Sequence, residues 1–112
     1  MVTRATRGLI IELTCEPEHE SIEGNCSAID PETDAETARW IREQLAAGNE
    51  WAWCMVHVRV TYMVGAAEEF HMADSYLGCC SYGSKAEFKA DPYFNDMVDE
   101  CIARINAQLS EV

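Results

Sequence analysis

Trp51-Ala52-Trp53-Cys54-Met55-Val56-His57-Val58-Arg59-Val60-Thr61-Tyr62-Met63-Val64 is the stretch that decides the fold. Its even positions form an unbroken apolar row: Ala52, Cys54, Val56, Val58, Val60, Tyr62 and Val64. Its odd positions set His57, Arg59 and Thr61 among two tryptophans and two methionines. Alternation of period two sends the two sets to opposite faces of one long strand. The even row then needs cover, and two amphipathic helices in the chain can give it. Asp30-Pro31 opens the first, with aspartate as cap, proline at the first helical position, and Glu32 and Asp34 in the electropositive first turn. This helix runs to about Ala47, stops at Gly48-Asn49, and buries Thr37, Ala38, Ile41 and Leu45 with Trp40 at the border.

Working outward, Asp91-Pro92 repeats the start signal for a last helix to about Leu109. Phe94, Met97, Val98, Cys101, Ile105 and Leu109 form its single apolar stripe. Residues 8–15 read as a first strand with Leu9, Ile11 and Leu13 on one face. Gly65-Ala66-Ala67 reads as a hairpin turn, and 68–79 as a third strand. Ser84 to Glu87 fits a capping box and a short helical turn. The predicted fold is α+β, in the order β-α-β-β-α: a three-stranded, largely antiparallel sheet with two helices packed on one face. The 112 residues make one domain. Its ends, 1–6 and 110–112, are expected to fray. Residues 16–30, with Pro17, Gly24, Asn25 and no periodicity, are expected to form a long acidic loop.

Charge bounds the function. Twenty carboxylates face eight lysines and arginines, for a net charge of −12. Phosphates would be repelled, which excludes direct binding of nucleic acid or an anionic membrane. Basic partners, solubility and imitation of a polyanion remain. Residues 8–38 hold nine carboxylates (Glu12, Glu16, Glu18, Glu20, Glu23, Asp30, Glu32, Asp34 and Glu36) and no lysine or arginine. On the helix, Arg39 can pair with Glu36 and Glu43. The unneutralised part is therefore the loop from Glu16 to Glu23. Partner-binding candidates are Glu16, Glu18, Glu20 and Glu23, continued by Asp30, Glu32 and Glu36. Twelve charges match those on about six base pairs of duplex DNA.

The odd face of the long strand is the second anomaly. Trp51, Trp53, Met55, His57 and Arg59 make a semi-apolar surface rich in interface residue types. A homodimer built sheet to sheet, a docking site for another protein, and plain coverage by the long loop all satisfy it.

No run of apolar residues is long enough for a transmembrane helix, and no signal-peptide core follows Arg4 and Arg7. A cytoplasmic protein with thiol rather than disulfide cysteines is expected, with Cys54 and Cys101 as small core hydrophobes. Cys15, His19 and Cys26 are candidate zinc ligands within twelve residues, but their spacing lacks the tight pairs of structural zinc sites. Cys79-Cys80 are adjacent, so a strand sends them to opposite faces. There is no GxSxG elbow, Walker loop, GxGxxG or HExxH, and neither catalysis nor a cofactor is expected.

Gly24-Asn25-Cys26-Ser27-Ala28-Ile29-Asp30, Gly48-Asn49-Glu50-Trp51-Ala52-Trp53-Cys54, Tyr76-Leu77-Gly78-Cys79-Cys80-Ser81-Tyr82 and the stretch from Phe88 to Met97 give the chain a further character. Over about residues 20–109 it resembles small acidic proteins of tailed bacteriophages and prophages. In size, acidity and plan it is similar to anti-CRISPR and other anti-defence inhibitors, which are typically non-enzymatic. That resemblance implies an inhibitor of a host defence complex, acting in the host cytoplasm on a basic nucleic-acid-binding surface. A phage accessory or structural protein that self-associates through the Trp51/Trp53 face is the alternative, and a small zinc-binding protein the second.

Overall fold

The computed structural model describes residues 1–26, 30–64 and 69–110. The elements are β1 (Leu9–Pro17), α1 (Pro31–Ala46), a 3-10 turn (Glu50–Ala52), β2 (Cys54–Val64), β3 (Glu69–Cys80), α2 (Lys85–Ala90) and α3 (Pro92–Ser110). The strands form one antiparallel sheet in the order β1-β2-β3. The α+β class is as the sequence predicts, but the order β-α-β-β-α is matched only roughly. The six-residue α2 follows β3, and the 3-10 turn precedes β2. The hairpin turn expected at Gly65-Ala66-Ala67 lies outside the described residues.

The contacts divide the chain into two compact units. One comprises 1–14, 57–76 and 91–112, and the other 15–56 and 77–90. In the first, Val58 and Val60 are fully buried, as are Val98, Cys101 and Ile105 of α3. The Cys101 thiol donates to the Val58 carbonyl at 3.9 Å. Burying side chains of this size contributes about 1.5–3 kcal/mol each, which is what commits the apolar stripe of α3. Within the amino-terminal segment that the sequence leaves loose, Val2 is anchored. Val2 is 3% exposed, and Asn106 clamps it, accepting from the Val2 N–H at 2.8 Å and donating to its carbonyl at 3.0 Å.

The second unit holds a core of Ile22, Ala38, Ile41, Ala52 and Trp53, with Cys26 packed on it. α1 starts as the sequence predicts, the Asp30 carboxylate accepting the Thr33 N–H at 2.8 Å. Gly48 follows its end at φ +94°, a left-handed conformation that glycine adopts without strain. Of its expected buried face, Ala38 and Ile41 are buried, while Leu45 reaches the surface. α2 is capped by Ser84, whose hydroxyl accepts the Glu87 N–H at 3.2 Å, while Glu87 reaches back to the Gly83 N–H. Phe88 is thereby fully buried between Trp51 and Tyr82, with ring centroids at 6.0 Å and 4.9 Å.

Candidate functional site: an acidic pocket on the second unit

β1 runs on through Pro17, so the loop that follows begins at Glu18 rather than Glu16. The loop is internally bonded. Asn25 donates to the Ser21 carbonyl at 2.7 Å, and Asp34 at the start of α1 accepts the Gly24 N–H at 3.0 Å. Ile22 is buried in the core, and the Trp53 indole N–H donates to the Glu20 carbonyl at 3.1 Å. Glu18 fixes the wall. One of its oxygens accepts the Cys79 N–H at 2.7 Å, and the other accepts the Glu20 N–H at 3.0 Å. Those amides, Cys79 first, hold the Glu18 carboxyl below its ordinary range. Cys79 takes a left-handed φ of +54°, uncommon for a residue with a side chain.

These segments enclose an open pocket of about 510 Å³. Ile22, Leu45, Trp53 and Pro17 supply its apolar lining, and Glu16, Glu18, Glu20, Glu23 and Glu50 its carboxylates. The cation among its lining residues is Arg42, in an ion pair with Glu23 whose guanidinium holds the Glu23 carboxyl below its usual range. Five carboxylates against one guanidinium leave four negative charges around one concavity. The loop is thus not the wholly uncompensated run that the sequence suggests. Glu23 and Glu18 are committed to Arg42 and to backbone amides, and Glu20 is exposed. Of the remaining acidic candidates, Asp30 is spent as the cap of α1, and Glu32 and Glu36 are exposed on that helix.

The tryptophan face of the sequence reading does not form. Asn49 caps the 3-10 turn, accepting the Trp51 N–H at 3.2 Å, so β2 begins only at Cys54. Trp51 and Trp53 are 8% and 6% exposed: Trp51 packs on Phe88 and Trp53 in the core beneath the loop. Coverage by the long loop is the outcome for Trp53. Met55, His57 and Arg59 are half-buried. His57 and Arg59 lie in the first unit, where Asp74 Oδ1 meets His57 Nε2 at 2.5 Å and Arg59 Nε at 2.8 Å, and Tyr76 stacks on the imidazole at 4.4 Å. A carboxylate orienting a histidine is one element of a catalytic triad. Here Arg59 shares that oxygen, and the Ser75 hydroxyl donates to Glu100 at 3.0 Å.

The zinc candidates are not brought together either. Cys26 donates its thiol to the Ile22 carbonyl at 3.0 Å, Cys15 contacts Glu50 and Cys54, and His19 is exposed. Among the described residues no group of three or more histidine, cysteine, aspartate or glutamate side chains is placed to hold a metal ion. Burial raises the thiols of Cys15, Cys26, Cys54, Cys79 and Cys101 above their ordinary value. Burial pushes Cys54 up to about 12, with Cys15 and Cys80 nearby, and burial followed by the Glu50 carboxylate raises Cys15.

Glu50 and Arg42 are the residues that sequence reasoning missed. Each reaches the pocket from an element distant in sequence from the loop, and only the Asn49 cap before Glu50 signals the turn that turns it inward. Among the described residues no helix is long and apolar enough to cross a membrane. Compared with protein-family models, curated proteins and solved structures, the chain matches none.

Proposed function

We propose that this chain is a non-enzymatic binding protein that engages a basic surface on a protein partner through the acidic wall from Glu16 to Glu23, continued by Glu32 and Glu36. The observation that carries the reading is the excess of four negative charges around one concave, hydrogen-bonded site. Charge of one sign lining a concavity focuses the field outward and accelerates encounter with a cationic partner. In its fuller form the partner is a host defence complex of CRISPR type in the cytoplasm. Occupation of its basic channel would exclude nucleic acid, as the resemblance to phage proteins implies.

The test is binding to immobilised poly-L-arginine across a salt series, with two sets of variants of equal charge change. Glu20→Gln with Glu32→Gln alters the proposed surface, and Glu69→Gln with Asp96→Asn alters acids elsewhere. Weaker binding and a shallower salt slope in the first pair alone support the reading. Equal effects in both pairs reduce the acidity to a diffuse solubility charge and remove it.

A second reading has its own observation. Ile10, Met63, Phe70, Met72 and Tyr76, all in the first unit, are between 37% and 57% exposed. Self-association through this strand surface, in place of the tryptophan face, is the accessory-protein alternative. Sedimentation of the wild type against Phe70→Ser decides it, since a dimer lost in the variant favours self-association.

A further inference from the structure

Three of the six cysteines stand together beside the pocket. Cys15 lies near the end of β1 and lines the cavity, Cys54 opens β2, and Cys80 closes β3 near Cys54. Two of the thiols form a relay: Cys54 donates to the Cys15 sulfur, and the Cys15 thiol donates to the Glu50 carboxylate. These two differ in access. Cys15 is half-buried and lines a pocket of about 510 Å³, wide enough to admit a small organic molecule, whereas Cys54 is 1% exposed. The Cys80 thiol donates to the Leu77 carbonyl at 3.3 Å. A metal ion does not account for the cluster, since among the described residues no three ligating side chains are placed to hold one. What two thiols in mutual contact can do is bond to each other. β1 and β2 are neighbours in the sheet, and neighbouring strands run about 5 Å apart, within the span of about 4.4–6.8 Å that a disulfide sets between its Cα atoms.

We propose that Cys15 and Cys54 are a redox-active pair, closed to an intrachain disulfide by a low-molecular-weight disulfide, such as oxidised glutathione, that reaches Cys15 through the pocket. Glu50 takes the Cys15 proton, and the hydrogen bond from Cys54 stabilises the thiolate that remains. That thiolate attacks one sulfur of the oxidant. The oxidant's S–S bond breaks, one glutathione leaves as a thiolate that solvent protonates, and the other half stays bonded to Cys15. Cys54 then loses its proton to solvent and attacks the Cys15 sulfur, and the second glutathione leaves. Two protein thiols are oxidised and one small disulfide is reduced to two thiols. Burial raises both protein thiols, Cys54 to about 12, so thiolate is scarce and the exchange is slow at neutral pH. The new bond closes a loop that carries the acidic segment and α1, and it takes the Cys15 thiol away from Glu50. The pair acts whether or not the chain binds a basic partner.

The experiment incubates the full chain, reduced and freed of reductant, with oxidised glutathione until the exposed Cys79 has reacted. The sample is quenched in acid and alkylated, and its thiols are mapped by non-reducing peptide mass spectrometry. A linked pair of peptides joining Cys15 to Cys54 is expected, lighter by two hydrogens than the two reduced peptides together. Fragmentation should place the bond on Cys15 rather than Cys26, with no glutathione retained at Cys15. Cys54→Ala should trap glutathione on Cys15, because the resolving thiol is gone. Cys15→Ser should leave Cys54 unmodified, since of the pair Cys15 alone lines the pocket. If Cys54→Ala fails to fold, the wild-type map decides by itself. Glutathione left on Cys15 of the wild type, a link through Cys26, Cys79 or Cys80, or a link between two chains would overturn the proposal. So would Cys15 and Cys54 both remaining as thiols once Cys79 is fully modified.

Discussion

The Glu18 carboxylate accepts the Cys79 backbone N–H at 2.7 Å, joining residues 61 positions apart in the chain. It ties the exit of β1 to the end of β3 and sets one wall of the acidic pocket. Its dependence on ionisation follows from the direction of the shift. The carboxyls of Glu18 and Glu23 are both held below their ordinary range, by the Cys79 amide and by Arg42. The stability they contribute is therefore fully present above the unfolded glutamate value of about 4.3, and it is lost as pH falls through the lower folded values. The 18–23 wall should open on acidification below about pH 4, before the core of either unit unfolds. Hydrogen exchange at the Cys79 amide reads this, and Glu18→Ala should accelerate it by about tenfold at neutral pH. An unchanged rate would mean the bond does not hold the wall.

Cys79 itself is strained, at φ +54°. Left-handed backbone costs a side-chain-bearing residue about 1–2 kcal/mol, and glycine returns part of that through its freedom in the unfolded chain. Cys79→Gly should accordingly stabilise the protein by about 0.5–1 kcal/mol and raise Tm by a few degrees. A lower Tm would place the thiol in a contact worth more than the strain.

The six cysteines should separate by access and by thiolate fraction. Cys79 is exposed, Cys15 and Cys26 are half-buried, and Cys54, Cys80 and Cys101 are buried. Burial raises Cys54 to about 12 and raises Cys101 as well, so neither forms an appreciable thiolate at neutral pH. A maleimide reagent should label Cys79 first and reach Cys54 and Cys101 only with global unfolding. Peptide mass spectrometry after timed labelling gives the order, and early labelling of Cys54 would contradict its burial.

These outcomes separate what the sequence makes legible from what it does not. The even row of β2 is readable because strand periodicity is local: Cys54, Val56, Val58 and Val60 are buried, while Tyr62 and Val64 at its end are half-buried. Asp30-Pro31 and Gly48 bracket α1 for the same reason, each acting on its own backbone. The reading of Trp51 and Trp53 fails because it starts the alternation at Trp51, whereas the Asn49 side chain caps a 3-10 turn there and the strand register begins only at Cys54. The pocket was half legible: a run of glutamates is visible in one dimension, whereas the approach of Glu50 and Arg42 depends on packing.

Trp53→Glu tests that correction. On an exposed dimer face the change would give a soluble, folded monomer. Trp53 is instead 6% exposed, packs on Ile22, Ala38 and Ile41, and bonds the Glu20 carbonyl. Removing a buried tryptophan costs about 3–5 kcal/mol before the added charge is counted, a large share of a typical domain's 5–15 kcal/mol. The variant should lose cooperative unfolding in thermal melts and expose apolar surface to a dye. A well-folded variant with unchanged Tm would return Trp53 to the surface.

Asp74→Asn isolates the ion pair in the first unit. Asp74 Oδ1 serves Arg59 and His57 together, and because an ionised carboxylate only accepts, His57 Nε2 carries the proton between them. Burial alone would push the carboxyl up; the bonds from Arg59 and His57 outweigh it and leave it below its usual value. An asparagine of the same shape keeps one acceptor oxygen and loses the charge, so it should cost about 1–3 kcal/mol at pH 7. A lowered carboxyl contributes stability above the unfolded aspartate value of about 3.9 and loses it as pH falls through the folded one. The gap between wild type and Asp74→Asn in urea unfolding should therefore close as pH falls through the lowered folded value, where the native carboxyl becomes neutral as well. A gap that stays constant from pH 7 downward would assign the loss to packing and leave the charge of Asp74 without a stabilising role.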